Sequence, residues 1–320
     1  MKIVLTDAQT VLDNLVDVEA LKEFGEVTQY GLLKYEEVAE KIADADIVVC
    51  NKTLLNSHTL RLAKNLKYIG LFATGYNNID IDYCKDNNIA VCNAGSYSTN
   101  AVAQHTFALM FYILEKLSYY DNYVKSGAYG NQNKFSNYDK IFTELEGKTW
   151  GIVGMGNIGK KVARIAESFG CKVIFYSASG NSTCMEFERV DFDTLLAESD
   201  ILSLHCPLSD KTKDLIDYEA LKKMKKTAIL VNVARGPVVN NSDLYKALVE
   251  EEIYGAGLDV LEKEPIHAEN PLGKFMDSTR LIITPHMAWA STEARERVVA
   301  GAYQNIRNFL DGKPSNVVNP

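Results

Sequence analysis

Lys148-Thr149-Trp150-Gly151-Ile152-Val153-Gly154-Met155-Gly156-Asn157-Ile158-Gly159 is the stretch on which the fold of this 320-residue chain turns. An apolar run that reads as a strand feeds a GxGxxG turn. Lys160 to Phe169 behind it reads as a helix with Val162, Ile165 and Phe169 on one side. Cys171 to Tyr176 supplies the next strand, so the glycines stand at the strand-to-helix corner of a βαβ unit. There Gly154 allows the tight turn, Gly156 lets backbone approach a pyrophosphate, and Gly159 lets the helix pack closely. The helix N-terminus presents unpaired N–H groups to the anion. A glycine cluster alone is weak evidence, and it is the flanking strand and helix that give this one force. Gly154, Gly156, Asn157, Ile158 and Gly159 are therefore candidate dinucleotide contacts, and almost half of the chain precedes them.

In that preceding half, strands expected at 2–5, 26–29, 46–50, 68–72 and 90–92 alternate with helix-like segments at 17–24, 35–43, 57–64 and 80–87. Such alternation implies a parallel sheet with helices on both faces. No GxGxxG occurs there, so this unit reads as flavodoxin-like without a dinucleotide site. The apolar pattern over 100–118 predicts one helix long enough to cross between domains. Residues 119–139 carry Tyr119, Tyr120, Tyr123, Tyr129, Phe135 and Tyr138 among polar residues and glycines, and read as an irregular arm that buries against a partner subunit. The alternative is an ordered loop packed on its own domain. After the fingerprint, strands are expected at 171–176, 200–204, 227–232, 254–258 and 281–284, with helices near 192–198, 217–223 and 242–251. A last helix over 291–310, stopped by Gly312 and Pro314, can return the chain to the first domain. The expected fold is α/β, with two doubly wound parallel-sheet domains: a discontinuous flavodoxin-like one of 1–99 and 288–320, and a continuous Rossmann one of 100–287.

A formal charge of −8 and a pI near 5.3 argue against nucleic acid or an acidic membrane as the main partner. Six cysteines lie scattered without CxxC or metal-ligand spacing, which points to buried reduced thiols and no metal. The chain opens directly on a strand and holds no apolar run of 18 residues, so the expected location is the cytosol.

Open parallel sheets place ligand-binding residues just beyond the carboxyl ends of their strands. Four groups here occupy such ends: Asn232-Val233-Ala234-Arg235-Gly236-Pro237, then Asp259, then Glu264-Pro265, then Thr284-Pro285-His286. Singly, each polar residue has a bland reading as a surface cation, a solvated loop charge or a satisfied loop histidine. Together they make a hydride-transfer site. A secondary alcohol gives up a hydride to a nicotinamide only if its hydroxyl proton leaves too, and His286 suits that exchange. Glu264 would favour the imidazolium and fix the ring, and Arg235 can grip a carboxylate through two donors.

These motifs, with Ala73-Thr74-Gly75-Tyr76-Asn77-Asn78-Ile79-Asp80 and Val102-Ala103-Gln104-His105, resemble the D-isomer-specific 2-hydroxyacid dehydrogenases over nearly the whole chain. The resemblance implies Arg235 as substrate binder, His286 as acid/base with Glu264 as its partner, and Asp259 as holder of the nicotinamide amide. It implies that backbone at Thr74, Gly75 and Tyr76 receives the substrate carboxylate, and that the arm at 119–139 makes a homodimer. The outer domain becomes the substrate domain and the central one the NAD(P) domain, with Cys206, Pro207, Val233 and Ala234 as further cofactor neighbours. Tyr97 to Asn100, His105 to Phe107 and His286 to Ser291 resemble glycerate dehydrogenases, also called hydroxypyruvate reductases. That similarity points to a small 2-keto or 2-hydroxy acid substrate. Trp289 is a candidate pocket wall or a packed aromatic. Asn51 and Lys52 are candidate substrate contacts, with Lys52 equally readable as a solvated loop charge, and His105 reads as structural. One departure concerns the residue expected to meet the cofactor ribose: Ser177, 18 positions after Gly159, stands where an NAD enzyme has an acid. No Arg or Lys stands in the loop Ser177 to Asn181, so NADP is permitted rather than demanded, and the lean is towards NADP. Two rivals remain: a nicotinamide-sensing binding protein of the kind found among transcriptional corepressors, and a dehydrogenase of another acid such as D-lactate.

Overall fold

Strands covered on both faces need apolar residues in unbroken runs rather than in alternation. Ile47–Cys50, Tyr68–Leu71, Ile201–Leu204 and Ile229–Asn232 are each buried at all four positions. The computed structural model describes residues 1–320 and divides them into two units, Met1–Ser98 with Trp289–Pro320, and Thr99–Ala288.

In the first unit, β1 (Lys2–Leu5), β2 (Glu26–Gln29), β3 (Ile47–Cys50), β4 (Tyr68–Leu71) and β5 (Ala90–Cys92) form one parallel sheet in the order β2-β1-β3-β4-β5. That is the flavodoxin-like order. Helices α1 (Tyr35–Lys41), α2 (Ser57–Leu60) and α3 (Ile81–Asp86) connect the strands. The segment expected as a helix over 17–24 is a 3₁₀ turn, Glu19–Phe24, and α2 stops well short of residue 64.

The second unit opens with α4 (Thr99–Leu114) and α5 (Leu117–Lys125). A single helix over 100–118 is therefore corrected: Lys116 adopts a left-handed conformation at φ 56° and breaks it. Its ammonium donates to Ile113 O at 3.1 Å and lies 3.6 Å from the Tyr254 ring centre, contacts that stand in for the usual glycine. The irregular arm is corrected as well. Tyr119 and Tyr123 are four residues apart and stack at 6.0 Å along α5, so only the part beyond Lys125 is irregular, apart from the 3₁₀ turn Tyr129–Asn131.

Seven parallel strands follow: β6 (Thr149–Val153), β7 (Lys172–Tyr176), β8 (Glu188–Arg189), β9 (Ile201–Leu204), β10 (Ile229–Asn232), β11 (Gly255–Leu258) and β12 (Leu281–Ile283). Their order, β12-β11-β10-β9-β6-β7-β8, is the doubly wound Rossmann arrangement with one strand added at the far edge. Strand β8, only two residues long, is absent from the sequence expectation. Helices α6 (Asn157–Ser168), α7 (Phe192–Glu198), α8 (Tyr218–Lys223) and α9 (Asn241–Val249) cover the sheet. Asp191, Asp217 and Asn240 cap the last three by accepting from backbone N–H groups. Helix α10 (Thr292–Leu310) belongs to the first unit, where Val298, Ala302 and Ile306 share a core with Ile3, Leu5 and Phe72. No helix is long and apolar enough to cross a membrane. All six cysteines are free and all but Cys184 are buried.

Candidate active site

Strand order reverses at β6, which has β7 on one side and β9 on the other, and such a point opens a crevice at the carboxyl ends of the strands. The glycine turn stands there. Gly154 has φ +94°, and a Cβ on it would lie 2.8 Å from Cys206 N, so the turn and the β9 end close on each other only without a side chain. A Cβ on Gly159 would meet Gly154 O at 2.2 Å, whereas one on Gly156 would meet nothing within 4 Å. The first and third glycines thus serve packing, and the second leaves open room where backbone can approach a phosphate. These residues fit a dinucleotide. Asn157 and Ile158 begin α6, Cys206 and Pro207 follow β9, and Val233 and Ala234 follow β10. Ser177 follows β7 and is buried.

Asn232, fully buried at the end of β10, shapes the loop beyond it. Its amide donates to Arg235 O at 3.0 Å and its carbonyl oxygen accepts from Ala234 N at 3.0 Å. Arg235 is half-buried and spends one donor, Nη1, on Ala234 O at 2.7 Å, which steadies a guanidinium whose other N–H groups are then free to bind an anion. Next to it, a Cβ on Gly236 would sit 1.8 Å from Leu261 O. The absence of a side chain there lets the β10 loop press against the β11 loop, which carries Glu264.

Glu264 accepts from Leu261 N through Oε1 at 2.9 Å, and its Oε2 meets His286 Nδ1 at 2.6 Å. A carboxylate on Nδ1 fixes the proton there and leaves Nε2 as the nitrogen that exchanges a proton with a ligand. His286 itself has φ +54°, a conformation that a residue other than glycine keeps only where its surroundings impose it. Asp259 imposes it. Its main-chain oxygen accepts from His286 N at 2.9 Å, and its carboxylate accepts from Met287 N at 2.9 Å and Ala288 N at 2.8 Å. Thr284 Oγ1 donates to the same carboxylate at 2.6 Å, and His105 Nε2 lies 2.9 Å from that hydroxyl and 3.4 Å from the carboxylate. Burial pushes the Asp259 carboxyl up, but the hydrogen bonds from His105, Thr284, Ala288 and Met287 outweigh it and hold the group below the usual carboxylate range.

A site with a steered imidazole, a guanidinium on its loop and a glycine turn left open at Gly156 suits hydride transfer to and from an acid. Comparisons agree. Residues 107–288 match the model for "D-isomer specific 2-hydroxyacid dehydrogenase, NAD binding domain". The hydroxypyruvate reductase of Blautia hydrogenotrophica is 37% identical over the full length of both chains. The chain belongs to the D-isomer-specific 2-hydroxyacid dehydrogenase family. The glycerate dehydrogenase of Methylorubrum extorquens is 38% identical over 88% of each chain. Among solved structures, an acyclic imino acid reductase in complex with NADPH and D-Arg superposes with a TM-score of 0.89 at 33% identity, covering 99% of this chain and all of that one. The protein is thus an NAD(P)-binding oxidoreductase, and the reading as a sensing protein without turnover is not favoured.

Of the residues proposed from sequence, the second unit of this dehydrogenase brings Glu264 and His286 into contact and packs the Arg235 loop against the loop of Glu264. Asp259 grips the His286 turn. The substrate-contact candidates stand in the first unit. Thr74, Gly75 and Tyr76 follow β4, with Thr74 donating to Gly95 O at 2.5 Å and Asn93 donating to Thr74 O at 2.8 Å. Asn51 follows β3 and is buried, with its amide donating to Thr10 Oγ1 at 3.1 Å. Trp289 packs edge-on against Tyr97, with ring centres 6.3 Å apart. Sequence reasoning missed Asp7, a buried carboxylate that accepts from the N–H groups of Asn51, Lys52 and Thr53 at 2.6 to 3.1 Å and sets that loop. It also missed the part His105 and Thr284 play around Asp259. In both cases the partners are far apart in the chain, and no spacing rule links them.

Proposed function

We propose that this dehydrogenase reduces hydroxypyruvate, and the smaller glyoxylate, to the D-2-hydroxy acid, with NADPH favoured over NADH. The reading rests above all on the 2.6 Å contact between His286 Nδ1 and Glu264. When bound, the nicotinamide cofactor supplies the hydride that reduces the keto carbon. His286 gives the Nε2 proton to the carbonyl oxygen, and Glu264 stabilises the imidazolium from which it comes. Arg235 binds the substrate carboxylate and polarises the carbonyl. Backbone of Thr74, Gly75 and Tyr76 supplies further carboxylate donors, while Asn51, Lys52 and Trp289 line the substrate. Gly154 to Gly159, Ser177, Cys206, Pro207, Val233, Ala234 and Asp259 hold the cofactor. Residues 99–288 form the cofactor domain and the first unit the substrate domain.

Hydroxypyruvate is favoured by the names of the relatives and by the lack of a second arginine in the shared motifs to hold a substrate phosphate. NADPH is favoured by the absence of a carboxylate at Ser177 and by the cofactor in the related imino acid reductase. The acidic chain is assigned to the cytosol. Leu117, Val124, Phe135, Tyr138 and Ile141 are exposed apolar side chains within 25 residues, and support a homodimer formed through this segment. Steady-state reduction of hydroxypyruvate, glyoxylate, pyruvate and a branched 2-keto acid tests the substrate assignment. Hydroxypyruvate should give the highest kcat/KM, since losing its hydroxyl leaves polar groups unpaired at about 1 to 3 kcal/mol. A panel led by pyruvate or the branched acid refutes it.

A further inference from the structure

We propose that Arg189, from the edge strand β8, is the cation that recognises a 2′-phosphate on the cofactor ribose. This rests on the reading of the protein as NADPH-preferring and gives that preference its residue. Strand β8 runs parallel to β7, with Phe175 opposite Arg189, so Arg189 emerges at the same sheet end as Ser177. The loop beyond β7 folds back as a turn in which Gly180 N donates to Ser177 O at 3.0 Å. Arg189 Nη1 donates to Gly180 O at 3.0 Å, which holds the guanidinium against this turn. A Cβ built on Gly180 would lie 3.9 Å from Arg189 Nη2. One donor is thus spent on orientation while Nε and Nη2 remain for an anion, the fork that suits phosphate.

The electrostatics around this turn favour an anion. Arg189 forms no ion pair. The carboxylates nearest in sequence are engaged elsewhere: Glu188 by Lys172 at 3.4 Å, Asp191 by Thr194 N and Oγ1, both at 2.8 Å, and Glu186 by a two-bond pair with Arg164, both at 2.9 Å. Ser177 and Ser179 add hydroxyls and no charge, and Ser179 Oγ accepts from Asn181 N at 3.2 Å. In a dinucleotide fold the ribose 2′ position lies at the end of the second strand, where Ser177 stands here. An arginine clamped to that turn, with no carboxylate paired to it, discriminates for a 2′-phosphate by attraction. In NAD-specific sites an acid in this place does the reverse.

Binding of 2′,5′-ADP and of 5′-AMP, measured by calorimetry on wild type, Arg189→Gln and Arg189→Lys, tests the assignment, with melting temperature as the check on folding. Wild type should bind 2′,5′-ADP the tighter. Arg189→Gln should lose roughly tenfold or more on 2′,5′-ADP and less than twofold on 5′-AMP, and Arg189→Lys should fall between, keeping the charge but not the fork. The kcat/KM ratio for NADPH over NADH should drop in step. If wild type binds the two nucleotides equally, the NADPH reading fails and this proposal with it. If wild type prefers 2′,5′-ADP but Arg189→Gln loses both nucleotides alike or neither, the NADPH reading stands and Arg189 is only the clamp of its turn.

Discussion

A histidine in a left-handed backbone conformation is costly, by on the order of 1 to 3 kcal/mol. His286 bears that cost because three successive N–H groups, of residues 286 to 288, all end on Asp259. The imidazole is therefore aimed by its backbone and by Glu264 together, and these two supports are separable. Glu264→Gln leaves the backbone clamp intact but removes the charge that favours the imidazolium and the proton on Nδ1. Its kcat should fall about 10- to 100-fold, the range for partners of functional histidines, with cofactor affinity held within about twofold. His286→Ala should cost about 10² to 10⁴. Rapid-quench turnover and fluorescence titration read both quantities, and a Glu264→Gln enzyme within about threefold of wild type would remove Glu264 from its role. The pair could be proposed from sequence because each residue follows a strand and stands beside a proline. Asp7 and Arg189 could not: Asp7 works through backbone groups some 45 residues away, and Arg189 reaches its turn by way of a strand two residues long.

Among the elements, the order of the buried strands and most helices was legible, because buried parallel strands write themselves as short apolar runs between polar helices. What escaped was the two-residue β8, the 3₁₀ turn at Glu19–Phe24, and the break between α4 and α5, where neither glycine nor proline marks the stop and a buried lysine does the work. Desolvation is the main reason Lys116 is pulled down to about 8, opposed by Asp277 and Glu115. Because the folded value lies below the unfolded one of 10.5, the folded state binds fewer protons between the two, and stability rises with pH across that window. Below about pH 8 the cost of burying the charge is fully present; above 10.5 it is gone. Lys116→Met should lack this rise, so that the difference in unfolding free energy between variant and wild type changes by on the order of 3 kcal/mol from pH 8 to 10.5. Urea titrations at four pH values measure it. Parallel curves for the two proteins would show that Lys116 stays charged and solvated.

At the scale of the whole molecule, the segment from Leu117 to Phe142, with its exposed apolar side chains, is the contact of the proposed homodimer. Phe135 is 91% and Ile141 83% exposed, values that a lone chain in water does not sustain cheaply over so many neighbours. Wild type should sediment at twice the 35.6 kDa chain mass, and Phe135→Asp with Ile141→Asp at once that mass, with near-native helical signal. A wild type that stays at 35.6 kDa when concentrated would assign this segment to its own subunit instead.

Because residues 289–320 complete the first unit, its order of birth differs from its order in space. Val317 bridges Cys92, Val318 N donates to Val91 O, and Arg295 reaches Asp13, all across more than 200 residues. A ribosome adding about 5 to 20 residues per second needs roughly 10 to 40 s to go from residue 98 to residue 289. The central unit is contiguous, and all of its strands are made within that interval. Strands β1 to β5 must wait with the face that α10 will cover still bare, which makes them the part of the nascent chain most in need of a chaperone.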